Sequence, residues 1–329
     1  MMKNKRIALY FIIAFLCLIG VMILSMISGG STVNVVDLLT LIFNYDEASE
    51  MAKVVLLEIR LPRMIGGIFV GMTLAASGSL IKAVMRNPLA DSGILGIQAG
   101  ASLFGIIVLL IYPVYLSFLP IFAFVGGLLA YFTLMALAYK DGIRPLRLVL
   151  AGVAVNGLFG SLIGVINIYN SEKIQNALTW LNGSLSSVDM NDAMILVVYS
   201  CIAILLAVLV IPKCNLLALD DMTITNLGEN LTLIRFVIAT IAVLLSSISV
   251  AIVGIIGFIG LIIPHVARLI VGSDYKYLLP FSMILGSLLV LGADSLQLII
   301  FSPTEMPVGI VISLIGSPFF LYQLRKQTM

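Results

Sequence analysis

The chain has one histidine, His265, which directly follows Pro264 and stands three residues before Arg268 inside the apolar run from Gly254 to Gly272. Proline removes a backbone donor and bends a helix, glycine admits a neighbouring backbone, and an imidazole or guanidinium resists burial in hydrocarbon. These residues predict a bent, protein-packed membrane helix ending at a water interface, where His265 and Arg268 either meet headgroups or line a pathway. Asp294 raises the same problem in another apolar run. A carboxylate at depth costs roughly 3 kcal/mol on insertion scales, so Asp294 should be paired or protonated and should face protein. It suits either a proton relay or a structural hydrogen bond to a neighbouring helix end. Glu305 follows between two prolines, just before the last apolar run.

Arg60 and Arg63, in the run Arg-Leu-Pro-Arg, fall at the outer mouth ahead of a second apolar run. Two fixed donor forks on a cation-poor face suit capture of carboxylates, and they equally suit anchoring of a helix end at the interface. The stretch from Asn87 to Gly96 contains Pro88, Asp91, Ser92, Gly93 and Gly96, types that cap a helix and favour a broken, tightly packed helix start. Helix N-termini of this kind line pathways in transporters, although capping alone accounts for the residues. From Ala218 to Gly228, Leu219, Met222 and Leu227 recur near helical spacing with Asp220, Asp221 and other polar residues between them. That pattern predicts a short amphipathic helix lying on the membrane or inserted into a partner's groove. No Gly-x4-Gly-Lys-Ser/Thr loop is present to hold a nucleotide, and a lone histidine makes no metal cluster. No cofactor is expected, so energy must come from a partner or a gradient.

The elements that position these groups follow from composition. Of 329 residues 61% are hydrophobic and 10% charged, where soluble proteins average about a quarter charged. The apolar runs are continuous for about twenty residues, which predicts an all-α polytopic membrane protein and disfavours a β-barrel, whose strands alternate. Spans are expected at 7–27, 64–81, 94–111, 114–138, 148–168, 191–211, 232–252, 255–271, 279–299 and 308–324. The first run resembles a signal peptide but lacks a small-x-small cleavage site, so it reads as a retained helix. About ten spans put both termini on one side, and a cytoplasmic N-terminus leaves only Lys53, Arg60, Arg63 and Lys173, of 18 Lys and Arg residues, outside. Residues 171–181 read as a short outer interfacial helix with Trp180 at headgroup level. Cys17, Cys201 and Cys214 have no metal or disulfide spacing, and the net charge of +2 gives no ground for nucleic-acid binding. The whole chain, 1–329, reads as a single transmembrane domain, with one sizeable cytoplasmic loop at about 212–231.

Taken in order, Arg60-Leu-Pro-Arg63, Asn87-Pro-Leu-Ala90 with Leu95-Gly96, Arg147 to Gly152, Trp180 with Gly183-Ser-Leu185, Leu227-Gly228, Gly257 to Leu261, Pro264-His265 with Arg268, Leu279-Pro280, Ala293-Asp294, Glu305 with Pro307-Val-Gly309, and Gly316-Ser-Pro-Phe319 form a specific set. The chain so read resembles the permease subunit of iron-siderophore, haem and cobalamin ABC importers, the FecCD-type permeases of type II importers in the bacterial cytoplasmic membrane. The resemblance runs from Arg60 to about Phe320. It implies that Arg60 and Arg63 dock glutamates of an extracytoplasmic binding protein. It further implies that Asn87, Pro88 and Leu89 contribute to a cytoplasmic gate beneath a cavity between two permease copies, identical or paralogous. Residues 218–228 would then be the coupling segment seated on a cytosolic ATPase present in two copies, and the chain itself would catalyse nothing. The expected cargo is a ferric siderophore, with haem or cobalamin as the alternatives.

Three departures stand out. Family members often carry arginine where this chain has Leu298, and coupling loops commonly have glycine and alanine in place of Asp220 and Ile224. Pro145 and Leu146, before Arg147, are less polar than the family's second constriction sometimes is. Two readings from other classes stand beside this one: a proton-driven secondary transporter using Asp294, Glu305 and His265, and a membrane receptor or scaffold that moves no substrate.

Overall fold

The computed structural model describes residues 2–29, 34–87, 90–139, 142–171, 174–302 and 304–327. Fifteen α-helices occur among them: α1 Met2–Ile27, α2 Val35–Phe43, α3 Glu50–Lys53, α4 Leu61–Met85, α5 Ile97–Ile106, α6 Leu119–Ala138, α7 Pro145–Tyr169, α8 Ile174–Leu181, α9 Met190–Leu209, α10 Ile211–Leu216, α11 Asp221–Asn226, α12 Leu231–Val253, α13 Ile259–Val271, α14 Tyr275–Ile300 and α15 Val308–Gln327. Several begin on a polar residue whose side chain takes an orphan backbone N–H. Asp189 accepts from Asp192 N at 2.7 Å, Asn230 from Leu233 N at 3.0 Å and Asp274 from Lys276 N at 2.9 Å. In hydrocarbon such satisfaction is obligatory, which is why long helices carry the apolar runs.

Seven helical stretches among the described residues are long and apolar enough to cross a bilayer, and three shorter apolar ones, Ile97–Ile111, Ile259–Val271 and Val308–Phe319, complete the expected ten. The second span differs at its start. A π-helical stretch Val54–Arg60 runs straight into α4, so Glu50–Met85 forms one 36-residue helical stretch and the two arginines lie within it. The connection ahead of it folds as α2 and α3 over a small core of Leu41, Ala48, Ala52 and Leu56. Trp180 also departs from expectation. It sits only 8% exposed among Ala101, Ala123 and Val250, because Gly105 leaves room where a Cβ would strike its ring.

The centre of the bundle is α4, which packs against α14, α12, α9 and α13. In lipid there is little hydrophobic drive between helices, so close contact rests on small residues. Gly71 of α4 faces Gly286 of α14 so tightly that a Cβ on either would overlap the other's backbone, and a Cβ on Gly78 would overlap the backbone of Gly260 on α13. By contrast α7 is only 11% buried over its apolar window, and its Gly157, Gly160 and Gly164 have open space beside them.

Candidate functional site

At the outer end, Pro62 starts α4 and places Arg63 in its first turn, buried to 5%. Arg63 donates from Nε and Nη2 to the two carboxylate oxygens of Asp294, at 2.8 and 2.9 Å, and from Nη1 to Glu305 at 2.9 Å. Gln297, one helical turn after Asp294 on α14, stands 3.4 Å from that carboxylate through Nε2, and its Oε1 accepts from Met306 N at 3.0 Å. Asp294 is fully buried, so this bidentate pair supplies the partner that a carboxylate at depth requires. The structure thus joins Arg63, Asp294 and Glu305, which the sequence presents as separate features. Arg60 is buried beside them and its guanidinium packs on Gly29, at the end of α1. Both arginines are therefore part of a packed helix end rather than an open loop, and of the cluster only Glu305, its side chain 45% exposed, reaches out substantially.

A second group of polar residues meets inside the bundle. The chain leaves α12 at Gly254, with φ of 76°, and starts α13 at Phe258, a non-glycine residue with φ of 66°. The break is closed from outside by Ser184 N donating to Val253 O at 2.8 Å and Gly309 N donating to Gly183 O at 3.0 Å. From the cytoplasmic side the segment before α5 enters as a 3-10 turn, Ser92–Leu95. Asp91 caps that turn by accepting from Ser92 N at 2.7 Å, and its carboxylate lies against Gly260. Asn156 on α7 donates to Gly93 O at 3.0 Å, and Ser246 on α12 donates to the Ser92 hydroxyl at 3.3 Å. Lys82, 5% exposed, donates to Leu261 O in the first turn of α13 at 2.6 Å. Two broken segments therefore meet the middle of α4. Pro264 lies inside α13 and is buried, and His265 is half-buried. Arg268, toward the cytoplasmic end, borders a cavity of about 300 Å³ with Lys82, Arg86, Asn87, Ala218 and Tyr275.

At that end α11 is a two-turn helix whose start is set by Asp220. Its carboxylate accepts from Thr223 Oγ1 at 2.7 Å and Thr223 N at 2.8 Å, and these bonds hold it below the usual carboxylate range. Gly228, with φ of 79°, ends the segment in the left-handed region that glycine adopts freely. Leu219, Met222 and Leu227 are exposed, while Ile224 is fully buried beneath them. The two departures from the family pattern thus have local reasons: Asp220 caps the helix and Ile224 is its anchor. Asp221 pairs with Arg86 at 2.6 Å and with Arg235 at 2.9 Å. Neither arginine stands out in the sequence, where each reads as an ordinary cation at the cytoplasmic end of a span. Asn87 is exposed directly after Arg86, and Pro88 and Leu89 lie outside the described residues.

The arrangement runs from the outer end of the bundle to its cytoplasmic end. Among the described residues no group of three or more His, Cys, Asp or Glu is placed to hold a metal. Its parts are a charged outer cluster, an interior crossing of broken helices and a capped apolar knob at the cytoplasmic face. Comparison with known proteins accords with that layout. The chain is 39% identical over 316 residues to the Fe(3+)-citrate import system permease protein YfmD of Bacillus subtilis, covering 96% of this chain and 94% of the relative. It is 35% identical over 322 residues to "Probable heme-iron transport system permease protein IsdF" of Staphylococcus aureus strain Newman, covering 98% and 97%. A solved inward-facing conformation of a protein described as a metal-chelate type ABC transporter superposes with a TM-score of 0.81 at 27% identity, over 97% of this chain and 99% of that one. Since the FecCD transport family also matches residues 16–326, the chain belongs to that family, as a multi-span ABC importer permease of the bacterial cytoplasmic membrane whose ATPase is a separate subunit.

Proposed function

We propose that this chain forms half of the membrane pathway for a ferric siderophore or a similar small ferric chelate. An extracytoplasmic binding protein delivers the chelate, and two copies of a cytosolic ATPase drive its import. The observation that carries the cargo assignment is the near full-length similarity to the ferric citrate permease. Iron here is substrate, carried inside its chelator and left chemically unaltered by this chain. The 35% identity to the permease named for haem iron favours haem as the second reading.

The partners have surfaces that suit them. Arg60, Arg63 and Glu305 form the outer docking cluster, Asn87, Pro88 and Leu89 belong to the cytoplasmic gate, and residues 218–228 carry the exposed apolar knob that an ATPase groove receives. The open, glycine-bearing face of α7 suits a second permease copy. The buried residues Pro264 and Asp294 are structural supports for the pathway, with His265 and Arg268 beside its cytoplasmic half.

The test is uptake of radioactive iron, supplied as ferric citrate, a hydroxamate siderophore or haem, in cells carrying the intact system. Import of one ferric chelate that stops on ATP depletion and survives an uncoupler is the expected result. Import that collapses with the uncoupler and survives ATP depletion would overturn the reading in favour of proton coupling.

A further inference from the structure

Arg86 is one of only two non-glycine residues with positive φ among the described residues, at φ 47° and ψ 32°, where α4 ends and the segment to Asn87 begins. A non-glycine side chain is disfavoured in that region, so the conformation persists where surrounding contacts fix it. Those contacts come from Leu217 and from the coupling segment that follows it. Arg86 Nε donates to Leu217 O at 2.8 Å, Nη2 donates to Leu219 O, and Nη1 pairs with Asp221 at 2.6 Å. The planar fork of arginine makes the grip rigid, since its donors cannot rotate independently. On the other side of the same carboxylate, Arg235 in the first turns of α12 donates from Nη2 to both oxygens of Asp221, at 2.9 and 3.1 Å. Its Nη1 donates to Ile143 O at 2.9 Å, in the loop that leads into α7 through Pro145. One exposed-side carboxylate thus ties α11 to two different inter-helix loops at the cytoplasmic end.

Resting on the coupling role assigned to residues 218–228, we propose that Asp221 is the joint through which α11 drives both loops. Through Arg86 it moves the segment beginning at Asn87, and through Arg235 it moves the loop holding Ile143. Arg86 and Arg235 are positioning residues: they touch no substrate and act by transmitting displacement. A carboxylate shared by two arginines gives one moving part and two followers, so the two loops shift together when nucleotide binding in the ATPase displaces α11. Without the joint, α11 stays anchored by buried Ile224 but no longer grips the backbone turn at Arg86 that ends α4.

The experiment uses the complete transporter, with its ATPase and binding protein, in proteoliposomes supplied with ferric citrate and ATP. It reads the ratio of iron imported to ATP hydrolysed for wild type, R86Q, D221N and the D221N/R86Q double variant. The expected result is a fall in that ratio of tenfold or more in each single variant, with no further fall in the double, because partners acting as one unit are not additive. R86K should fall between, since lysine can pair with Asp221 but cannot also hold two carbonyls in a fixed fork. Ratios within twofold of wild type would overturn the joint, as would losses that multiply in the double variant. If D221N merely releases the ATPase, so that hydrolysis and uptake fall in parallel, Asp221 is an attachment residue and the proposal fails. Should R86Q not fold, R86K carries the test through its pairing with D221N: no fall in the double beyond D221N alone is expected, and losses that multiply would overturn the joint. A wild-type complex that holds no ATPase would instead sink the coupling role itself, and the joint with it.

Discussion

At the scale of single residues, the arginine at position 63 shows how burial decides what a charge can do. Its two bonds to Asp294 satisfy that carboxylate, so removing Arg63 leaves Asp294 buried without its ion-pair partner, and removing Asp294 leaves buried Arg63 only the half-exposed Glu305. D294N and R63A are therefore expected to lower the stability of the folded permease by about 3–5 kcal/mol, seen as a marked drop in unfolding temperature in mild detergent. E305Q should have a much smaller effect, because Glu305 is half in water. Equal effects from all three variants would contradict the assignment of the core pair. Asp220 behaves in the opposite way, as an exposed cap. Its carboxyl is held low by Thr223, so its contribution is present above the unfolded carboxylate pKa and is lost as pH falls through the lower folded value. D220N should retain the cap and remove this acid dependence, read as local protection of residues 221–226 by hydrogen exchange against pH.

At the scale of elements, the bundle is held where glycines let backbones touch. Gly71→Ala puts a methyl group into the Gly286 backbone, and Gly78→Ala puts one into the Gly260 backbone. Neither neighbour is a flexible side-chain tip that can swing away, so each variant should cost about 1–3 kcal/mol or more. Gly157→Ala on the open face of α7 meets nothing within 4 Å and should leave the stability of the single chain unchanged or slightly raised. Thermal unfolding of the three variants side by side checks the ranking. This level is also where the sequence is most and least informative. Continuous apolar runs set nine of the ten spans within a few residues, the second excepted at its start, because in lipid the helix is the only open-chain way to satisfy the backbone. The capped helix at 221–226 was likewise legible from Asp220 and the spacing of Leu219, Met222 and Leu227. What did not show were pairings: Arg63 and Asp294 lie 231 positions apart, and Arg86 and Asp221 look like unrelated loop charges. Lys82 was read only as a cation at a cytoplasmic helix end, where positive charge is the rule, although it bonds into the first turn of α13. The π-helical start of the second span was hidden for a related reason. Pro62 and the charged residues before it mark a helix beginning, but α4 instead continues an earlier helix.

At the scale of the whole molecule, the described residues place charge at the two ends and small residues between them. The outer cluster of Arg60, Arg63, Asp294 and Glu305 is close to neutral, so a binding protein's acidic surface would be guided by exchange of carboxylates around these arginines more than by a strong long-range field. At the cytoplasmic end the exposed Met222 and Leu227 await an apolar groove. Replacing both with serine should leave the chain inserted and folded while reducing retention of the ATPase at least tenfold in detergent. Between the ends, the open, glycine-bearing face of α7 is where the second permease copy is proposed to pack. The account therefore stands or falls on assembly. The most direct measurement is extraction of the tagged chain from its native membranes in mild detergent, followed by native mass spectrometry of what remains bound. The account predicts a complex of two permease chains with two ATPase subunits, the second permease being either identical or a paralogue. A chain that emerges reproducibly alone, monomeric and well folded would contradict it.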